Sequence, residues 1–420
     1  MVPGSVEPYG REGLPLAQAR EQLLKAIIPI QEPITVSLDQ ALGCVSASWV
    51  NAKTSIPGFR ASIMDGFALG QSHQPSVGDR WSIQGRSAPG APFTSVLNTG
   101  EAVRIMTGAP IPRGSDWVLP QEVVQVNNQN LTLSREVSDQ PWIRAADEEC
   151  RAGDRLIDQG QRLTPSHLGR LASCGISSLA VHRKPRIGLL VSGDELVPVG
   201  ADRPSGAIWE GNSILLETIL SRLHQVVYRK RVAPDDPKAL REALKQLSNE
   251  CDLVVSTGGI SAGESDWIRA LVNELGHVSF WKLFLKPGRP FAFGHLRNQV
   301  GKVPFFGLPG NPVAAAITAL QLLWPALQIL EGQPEPELFP RFKVTLANSV
   351  QRRPGRPELV RARLEVNPEG RILAKVSPSQ ASSRIGSLLS ADLLLEIPAN
   401  AGSLESGEHL WAQLLRQRLL

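Results

Sequence analysis

The chain has 420 residues, which corresponds to about three domains at roughly 150 residues per domain. Apolar residues make up 42% and charged residues 20%, a composition that excludes extensive disorder. The formal net charge of +4 is too small over this length to indicate nucleic-acid binding, although it would not repel an anionic small molecule. The 37 glycines and 33 prolines predict many turns.

Cysteine spacing and apolar runs indicate the compartment. None of the four cysteines forms a CxxC pair, so a zinc site is not expected, and buried thiols are favoured over disulfides in a core of this size. The first residues lack the basic start and apolar segment of a signal peptide. The most apolar stretch, 313–330, contains Gln321, Pro325 and Gln328, which favours a buried helix over a membrane span. We therefore expect a cytoplasmic protein without membrane association.

The first half of the chain alternates between helical and β-like patterns. Residues 14–28 have helical apolar spacing, and residues 162–175 have it again after a Thr-Pro start signal. Between them, short strand-like runs are separated by Gly, Pro and Asn, which is typical of a β-rich domain. We expect residues 14–48 and 150–182 to form one discontinuous α+β domain, into which a β-rich domain at residues 49–149 is inserted.

The second half has a clearer pattern. In residues 183–332, four strand-like runs alternate with four helical runs, which predicts an α/β domain whose mostly parallel sheet is covered by helices. A proline-rich linker, 333–340, precedes short strand-like runs at 341–420, which predict a small β domain. The predicted strands are 187–192, 225–232, 252–257 and 303–308, and the predicted helices are 212–223, 237–248, 266–275 and 312–327.

Three strands of the α/β domain end in glycine-rich turns, at 192–195 (SGDE), 256–263 (STGGISAG) and 307–312 (GLPGNP). The carboxyl ends of parallel strands lie on one edge of a sheet, where ligands bind in a crevice. Glycines let backbone N–H groups approach a phosphate closely, and helix N-termini favour anions. Each turn alone could be an ordinary connection between a strand and a helix. The residues expected to bind substrate here are Ser192, Gly193, Gly258, Gly259, Ser261, Gly263, Pro309, Gly310, Asn311 and Pro312.

Acidic residues beside these turns, including Glu195 and Asp266, favour Mg²⁺-assisted phosphate chemistry. The chain has no Walker A sequence and no GxG, which disfavours P-loop NTPases and dinucleotide-binding proteins. A non-catalytic scaffold or ligand-binding module remains an alternative. A serine hydrolase is a second one, because 259–263 fits GxSxG and Asp392 and His409 follow in triad order. Against it, an HGGG-like oxyanion segment is missing, and both partners fall in the C-terminal β domain.

A basic run carries Lys282, Lys286 and Arg289. On an extended chain Lys282 and Lys286 point the same way and could hold the oxygens of an anion. Ordinary solvated surface charge is the alternative, although the flanking aromatic residues favour a partly buried setting. We count Arg289 as a candidate substrate-binding residue. In the β-rich domain Asp65 and Thr107 each stand beside a glycine, a pattern that taken alone is more typical of a turn than of a site.

Six segments of the sequence together form one recognisable pattern. They are PGFRASIMDGFA (57–68), VRIMTGAPIP (103–112), VSGDEL (191–196), STGGISAGESDW (256–267), FWKLFLKPGRPFAFG (280–294) and GLPGNPVAA (307–315). In this order they resemble one family, the molybdopterin molybdenumtransferases of the MoeA type, which also form the C-terminal part of gephyrin. The resemblance runs from about residue 14 to the end of the chain. It implies an α/β, multidomain fold class, with a central three-layer domain that has a mostly parallel sheet, an inserted β-rich domain, a small α+β linker domain and a C-terminal β-barrel-like domain.

The resemblance implies that adenylylated molybdopterin and molybdate react to give molybdenum cofactor and AMP, with Mg²⁺ or a similar divalent ion assisting. It implies a homodimer of elongated four-domain subunits, whose cleft lies between the α/β domain of one subunit and the Asp65-bearing domain of the other. The molybdopterin adenylyltransferase is considered as a further partner, whereas nucleic acid and membrane are not. The residues carried over as catalytic are Asp65, Thr107, Glu195, Asp266, Lys282 and Lys286, with Glu195 and Asp266 also as metal ligands and Ser382 as a substrate-binding residue.

This sequence departs from the family pattern in four places. Glu149 stands where the family usually has aspartate, so its carboxylate lies one methylene farther out. Residues 209–212 read Trp-Glu-Gly-Asn rather than Tyr-Asp-Ser-Asn. Ala381 precedes Ser382 where glycine is usual, and Asp392 replaces asparagine. The departures affect the roles that the resemblance implies near Glu149, Gly211 and Ser382. They leave the expected site of the α/β domain unchanged.

Overall fold

A computed structural model describes residues 13–259 and 267–415. The chain forms two compact units, which are described separately below. The first contains Met1–Ile34, Gly43–Ala47 and Val181–Leu420, and the second contains Thr35–Leu42 and Ser48–Ala180. The finer domain boundaries expected from the sequence stay predictions.

The first unit is built around a six-stranded sheet, in which five strands point the same way and one, Ala292–Arg297, runs antiparallel to both of its neighbours. Ile187–Ser192 is buried along its whole length, as expected for a strand covered on both faces. The strands Gly276–Trp281 and Ala292–Arg297 were not predicted from the sequence, because Lys, Pro and Gly interrupt the apolar pattern between them. The order across the sheet is Val227–Ala233, Ile187–Ser192, Leu253–Thr257, Lys302–Leu308, Ala292–Arg297 and Gly276–Trp281.

Helices cover both faces of this sheet. Leu189 and Val191 pack in one core and Leu190 in the other, because successive strand residues point to opposite faces. The helix Pro237–Glu250 begins where Asp236 Oδ2 accepts a 2.8 Å hydrogen bond from a backbone N–H of the first turn. The expected three-layer α/β domain is confirmed. The helices Leu16–Ala26, Asn212–Arg222, Pro312–Thr318 and Trp324–Leu330 contribute to the first core, and Pro237–Glu250 and Trp267–Leu275 to the second.

The helical run Pro312–Leu330 lies inside the first core and contains a π-helical stretch at Ala319–Leu323. Among the described residues it is the one helix long and apolar enough to cross a membrane. However, 83% of its most apolar part is buried within the fold, which is the environment of a core helix. The predicted buried helix at 312–327 is therefore confirmed, and it extends three residues farther.

The last part of the first unit is a closed five-stranded barrel. Closure pairs each strand with two neighbours, so the barrel presents no free sheet edge. Side chains such as Val344, Val360 and Ala412 form its buried core. The expected β-barrel-like domain is thus confirmed. The strands follow the order Arg341–Leu346, Ile372–Val376, Glu358–Val366, Leu393–Ile397 and His409–Leu414 around the barrel.

The second unit is built around a mixed six-stranded sheet, as the expected β-rich insertion requires. Phe67 and Leu69 pack in one core and Ala68 in another, so both faces of the sheet are covered. A capping box between Thr164 and His167 starts the helix Pro165–Ser173. The sheet order is Trp117–Pro120, Gly66–Leu69, Glu101–Ile105, Arg80–Ser87, Asn130–Leu133 and Val124–Asn127. Shorter strands of the chain are Pro33–Ser37, Val50–Asn51, Ala61–Ser62, Ile143–Arg144, Arg155–Ile157, Ser178–His182, Leu196–Val197 and Ile208–Trp209.

Candidate functional site

A cleft of about 1100 Å³ opens in the first unit at the carboxyl edge of the parallel strands. The turns that follow Ile187–Ser192, Leu253–Thr257 and Lys302–Leu308 all contribute to its wall, as the sequence predicted from the edge rule. Ser261, Gly263 and Asp266 lie outside the described residues. The predicted site residues that line the cleft are Ser192, Gly193, Glu195, Gly258, Gly259, Lys286, Arg289, Pro309, Gly310, Asn311, Pro312 and Ser382.

The second turn depends on its glycines. Gly258 and Gly259 have φ angles of +91° and +62°, values that residues with a Cβ atom rarely adopt. A Cβ atom on Gly258 would lie 2.3 Å from the Ser192 carbonyl oxygen, so this turn passes directly against the first one. The glycines therefore bring two backbone segments together at the base of the cleft.

Asn212 links the second and third turns, a role that the sequence analysis missed. Its Nδ2 donates to the Gly310 carbonyl oxygen at 2.7 Å and to Thr257 Oγ1 at 3.1 Å. Thr257 Oγ1 in turn donates to the Pro309 carbonyl oxygen at 3.1 Å. The position of Asn212 at the start of the helix Asn212–Arg222 is the sequence signal that could have indicated it, because helix starts face this edge.

Carboxylates gather on one side of the cleft. Asp235 lies in its wall with Glu195, and the Asp235 Oδ1 atom is buried without a hydrogen-bond partner among the described residues. The pKa of the Asp235 carboxyl is raised overall, mainly because the group is buried. The Ser192 hydroxyl opposes this shift, whereas the negative charges of Asp194 and Glu195 add to it. A bound cation would relieve this repulsion.

The donor set fits a hard divalent ion such as Mg²⁺, although only in part. Glu195 and Asp235 offer oxygen ligands, including the unpaired Oδ1, and oxygen is what Mg²⁺ prefers. In the part of the chain that the structure describes, no three His, Cys, Asp or Glu side chains converge closely enough to hold a metal ion. The expected ligand Asp266 lies outside that part.

Positive charge occupies another side of the cleft. Lys286, Arg289 and Arg356 all line it, and Arg356 was not among the predicted site residues. Burial, and then the positive charge of Arg289, lower the pKa of Arg356. Lys286 Nζ lies 3.3 Å from both carboxylate oxygens of Glu358, a residue of the barrel strand Glu358–Val366. The barrel thus supplies both a cation and the partner of Lys286.

Lys282 occupies a different place from Lys286. It is not part of the cleft wall, and its ammonium group lies 4.0 Å from the ring centroid of Trp281. The backbone of Lys282 has a φ angle of +69°, so the run is not the regular extended chain on which both lysines would share a side. The expected side-by-side arrangement is therefore not found, and a role for Lys282 stays a prediction.

Ser382 reaches the cleft on a loop of the barrel. Its carbonyl oxygen accepts a 3.1 Å hydrogen bond from the Val313 N–H, which attaches this loop to the start of the helix Pro312–Thr318. Gln380, which also lines the cleft, makes two hydrogen bonds with the backbone of Arg361. The Arg361 guanidinium is buried beneath the loop, where its Nε donates to Ser387 Oγ at 3.3 Å.

In the second unit, Asp65 and Thr107 come together although 42 positions separate them. The Thr107 N–H and hydroxyl donate to Asp65 Oδ1 at 2.7 and 2.8 Å. These bonds, the backbone one foremost, lower the pKa of the Asp65 carboxyl. Asp65 lines a small depression of about 260 Å³ together with Arg86, Arg104 and Gln121. The two turns therefore form one ionised, hydrogen-bonded group.

Asp392 and His409, the residues expected to complete a serine hydrolase triad, make polar contacts within the barrel. Asp392 is buried, and its Oδ2 accepts a 3.0 Å hydrogen bond from the Leu364 N–H. His409 Nδ1 lies 3.1 Å from Thr345 Oγ1 on the neighbouring strand. These contacts are those of barrel residues and lend the hydrolase alternative no support.

Fold and site define the class of protein: a multidomain α/β protein with a polar cleft at the carboxyl edge of a mostly parallel sheet. Three family models match successive parts of the chain. They are "MoeA N-terminal region (domain I and II)" at residues 14–175, "Probable molybdopterin binding domain" at 188–329 and "MoeA C-terminal region (domain IV)" at 343–415.

Relatives cover nearly the whole chain. It is 34% identical to a molybdopterin molybdenumtransferase of Haemophilus influenzae, over 94% of this chain and 97% of that protein. It is 29% identical to gephyrin of Dictyostelium discoideum, over 90% of this chain and 59% of that one. The molybdopterin biosynthesis MoeA protein of Pyrococcus horikoshii has a crystal structure with a TM-score of 0.80 at 26% identity, covering 96% and 99% of the two chains.

The chain therefore belongs to the molybdopterin molybdenumtransferase family, as the sequence resemblance predicted. The predicted fold class and enzyme class are confirmed with it. The protein has a role in molybdenum cofactor biosynthesis.

Proposed function

We propose that this protein transfers molybdenum from molybdate to adenylylated molybdopterin and releases AMP. The observation that carries the proposal is the cleft itself, in which glycine-rich turns meet cations on one side and carboxylates on the other. Substrate phosphates fit the turns, where backbone N–H groups approach without Cβ atoms. The names of the relatives support molybdopterin as the substrate.

The carboxylates serve a divalent cation in this proposal. Glu195, Asp235 and the predicted ligand Asp266 would hold Mg²⁺ through hard oxygen atoms. When bound, Mg²⁺ supplies charge neutralisation at the phosphoanhydride. Asp194 Oδ1 accepts a 2.9 Å hydrogen bond from the Asp235 N–H, which fixes the turn that carries the Asp235 carboxylate.

The cations serve molybdate, which is a dianion. Lys286 attracts it as a point charge, and the planar guanidinium groups of Arg289 and Arg356 add hydrogen-bond donors. Lys282 is proposed as a further cation for the same oxyanion. The other predicted substrate-binding residues, Ser382 among them, hold the remaining phosphate and pterin oxygens.

The proposal includes an assembly and a place in the cell. We propose a homodimer in which Asp65, oriented by Thr107, reaches the cleft of the partner chain. Mixed dimers of Asp65→Ala and Lys282→Ala chains should then recover partial activity, whereas a fully active monomer would contradict it. The molybdopterin adenylyltransferase is proposed as the protein that delivers the substrate. We propose a cytoplasmic location, which four buried cysteines without a disulfide among the described residues support.

The test compares two variants in an assay of AMP release. Asp266→Ala should reduce the rate more than Ser261→Ala, because removing a carboxylate ligand disables both charge neutralisation and positioning. Loss of the Ser261 hydroxyl should cost roughly 1–3 kcal/mol, a factor of about 5 to 150. EDTA should abolish the reaction. Metal-independent ester hydrolysis that needs Ser261 but not Asp266 would establish the hydrolase alternative instead, and binding without AMP release would establish the scaffold.

A further inference from the structure

Trp209 lies on the rim of the cleft with half of its side chain exposed to solvent. It belongs to the short strand Ile208–Trp209, which pairs in parallel with Leu196–Val197 to form a small flap. What distinguishes it from the more exposed Trp49 is its place in the wall of the cleft, where a large aromatic surface is available to a bound ligand. The position also differs from the family pattern, which usually has tyrosine here.

The indole is held in place rather than free to rotate. Its Nε1 donates to the Ala201 carbonyl oxygen at 3.0 Å, and the Arg203 guanidinium carbon lies 4.8 Å from the ring centroid. The flap is fixed in turn by a 2.8 Å hydrogen bond from the Ile208 N–H to the Glu195 carbonyl oxygen. An arginine therefore covers one face of the ring, and Trp209 itself lines the cleft.

We propose that Trp209 is a stacking platform for a planar nitrogen heterocycle of the substrate. Base rings stack on exposed aromatic side chains with little dependence on sequence, because every base has a π-face. A pre-positioned ring loses little conformational entropy when the ligand binds, which favours this use of a fixed indole. The inference rests on the proposed function, whose substrate carries two such rings, adenine and pterin. Both offer the same chemistry to the indole.

The experiment measures ligand binding by titration calorimetry, independently of turnover. The probes are AMP, 6-hydroxymethylpterin and ribose 5-phosphate, which lacks an aromatic ring. The variants are Trp209→Ala, Trp209→Phe and, as a matched control, Trp49→Ala. Trp49 is 61% exposed and also carries an arginine, Arg155, at 4.6 Å from its ring centroid, but it belongs to the second unit.

Trp209→Ala should weaken binding of one ring probe by about 5- to 140-fold and leave ribose 5-phosphate unchanged. Trp209→Phe should retain most of the affinity, and Trp49→Ala should behave as the wild type. Weaker AMP binding assigns the platform to adenine, and weaker 6-hydroxymethylpterin binding assigns it to pterin. Unchanged binding of both rings, or an equal loss for ribose 5-phosphate, would overturn the inference.

A second measurement covers the case in which neither free ring binds the wild type measurably. Trp209→Ala should then raise KM for adenylylated molybdopterin by a similar factor with kcat nearly unchanged. An unchanged KM would overturn the role of Trp209 while the proposed function stands. If the wild type releases no AMP at all, the proposed function fails. The inference then stands only if a ring probe binds the wild type and Trp209→Ala weakens that binding, and binding of neither ring overturns it.

Discussion

Replacing Gly258 by alanine should damage the cleft far more than the fold. The backbone at Gly258 has a φ angle of +91°, and strain of this kind costs about 1–3 kcal/mol for a residue with a Cβ atom. The new Cβ atom would also lie 2.3 Å from the Ser192 carbonyl oxygen, whereas ordinary contact begins at 3.4 Å. The first and second turns must therefore separate by roughly 1 Å, and a misplacement of that size can cost about 100-fold in rate.

Gly407 provides a matched control in the same unit. Its φ angle is +94°, but a Cβ atom there would meet nothing within 4 Å. Gly407→Ala should therefore carry the backbone strain alone, about 1–3 kcal/mol of unfolding free energy. Urea unfolding of both variants measures the strain, and AMP release from adenylylated molybdopterin measures the cleft. We expect a larger stability loss for Gly258→Ala, which adds the contact to the strain, and a loss of kcat/KM of about 100-fold for Gly258→Ala only.

Two results would refute this reasoning. If Gly258→Ala keeps wild-type kcat/KM, the two turns do not depend on their close approach. If Gly407→Ala loses as much activity as Gly258→Ala, backbone strain anywhere in the unit affects turnover, and the contact with Ser192 is not the cause.

Three further predictions concern acidic residues. Glu149→Asp should lower kcat/KM by less than about tenfold, because it restores the usual family residue without changing the charge; a larger loss means that the local backbone has adapted to glutamate. Burial opposes the charge of Asp252, but hydrogen bonds from Arg183 and Arg186 hold its pKa at about 2, below the usual aspartate value of about 3.9. The stability from Asp252 should therefore be present above about pH 4 and decline by up to about 2 kcal/mol as the pH falls to 2, and acid unfolding of Asp252→Asn should lack that decline. Glu358→Gln should lower the molybdate concentration for half-maximal rate, because the carboxylate 3.3 Å from Lys286 competes with the oxyanion; an unchanged or higher value contradicts this.

The general arrangement of the cleft could be predicted from the sequence, because it depends on local pattern. Alternating strands and helices predicted the parallel sheet, and the edge rule then placed the three glycine turns side by side. The same rule could have found Asp235, since it follows the predicted strand at 225–232 at the same edge. That residue was missed because its turn, unlike the other three, contains no glycine.

Other contacts depend on tertiary structure that no local pattern reports. Arg356 lines the cleft and Glu358 contacts Lys286, both from the barrel part of the chain about 70 positions after Lys286, through a packing arrangement that their own sequence does not specify. The separation of Lys282 from Lys286 arises because the chain between them is not regularly extended, as the positive φ of Lys282 shows. The pairing of Asp65 with Thr107 required the neighbouring strands Gly66–Leu69 and Glu101–Ile105, whose register was not predictable.

The most direct test of the account is the complete reaction with purified protein. Adenylylated molybdopterin, Mg²⁺ and molybdate are incubated with the protein, and both AMP and active molybdenum cofactor are measured over time. The account predicts that AMP and active cofactor appear in equal amounts and that EDTA prevents both. Binding of the substrate without either product, or AMP release without active cofactor in the presence of molybdate, would contradict it.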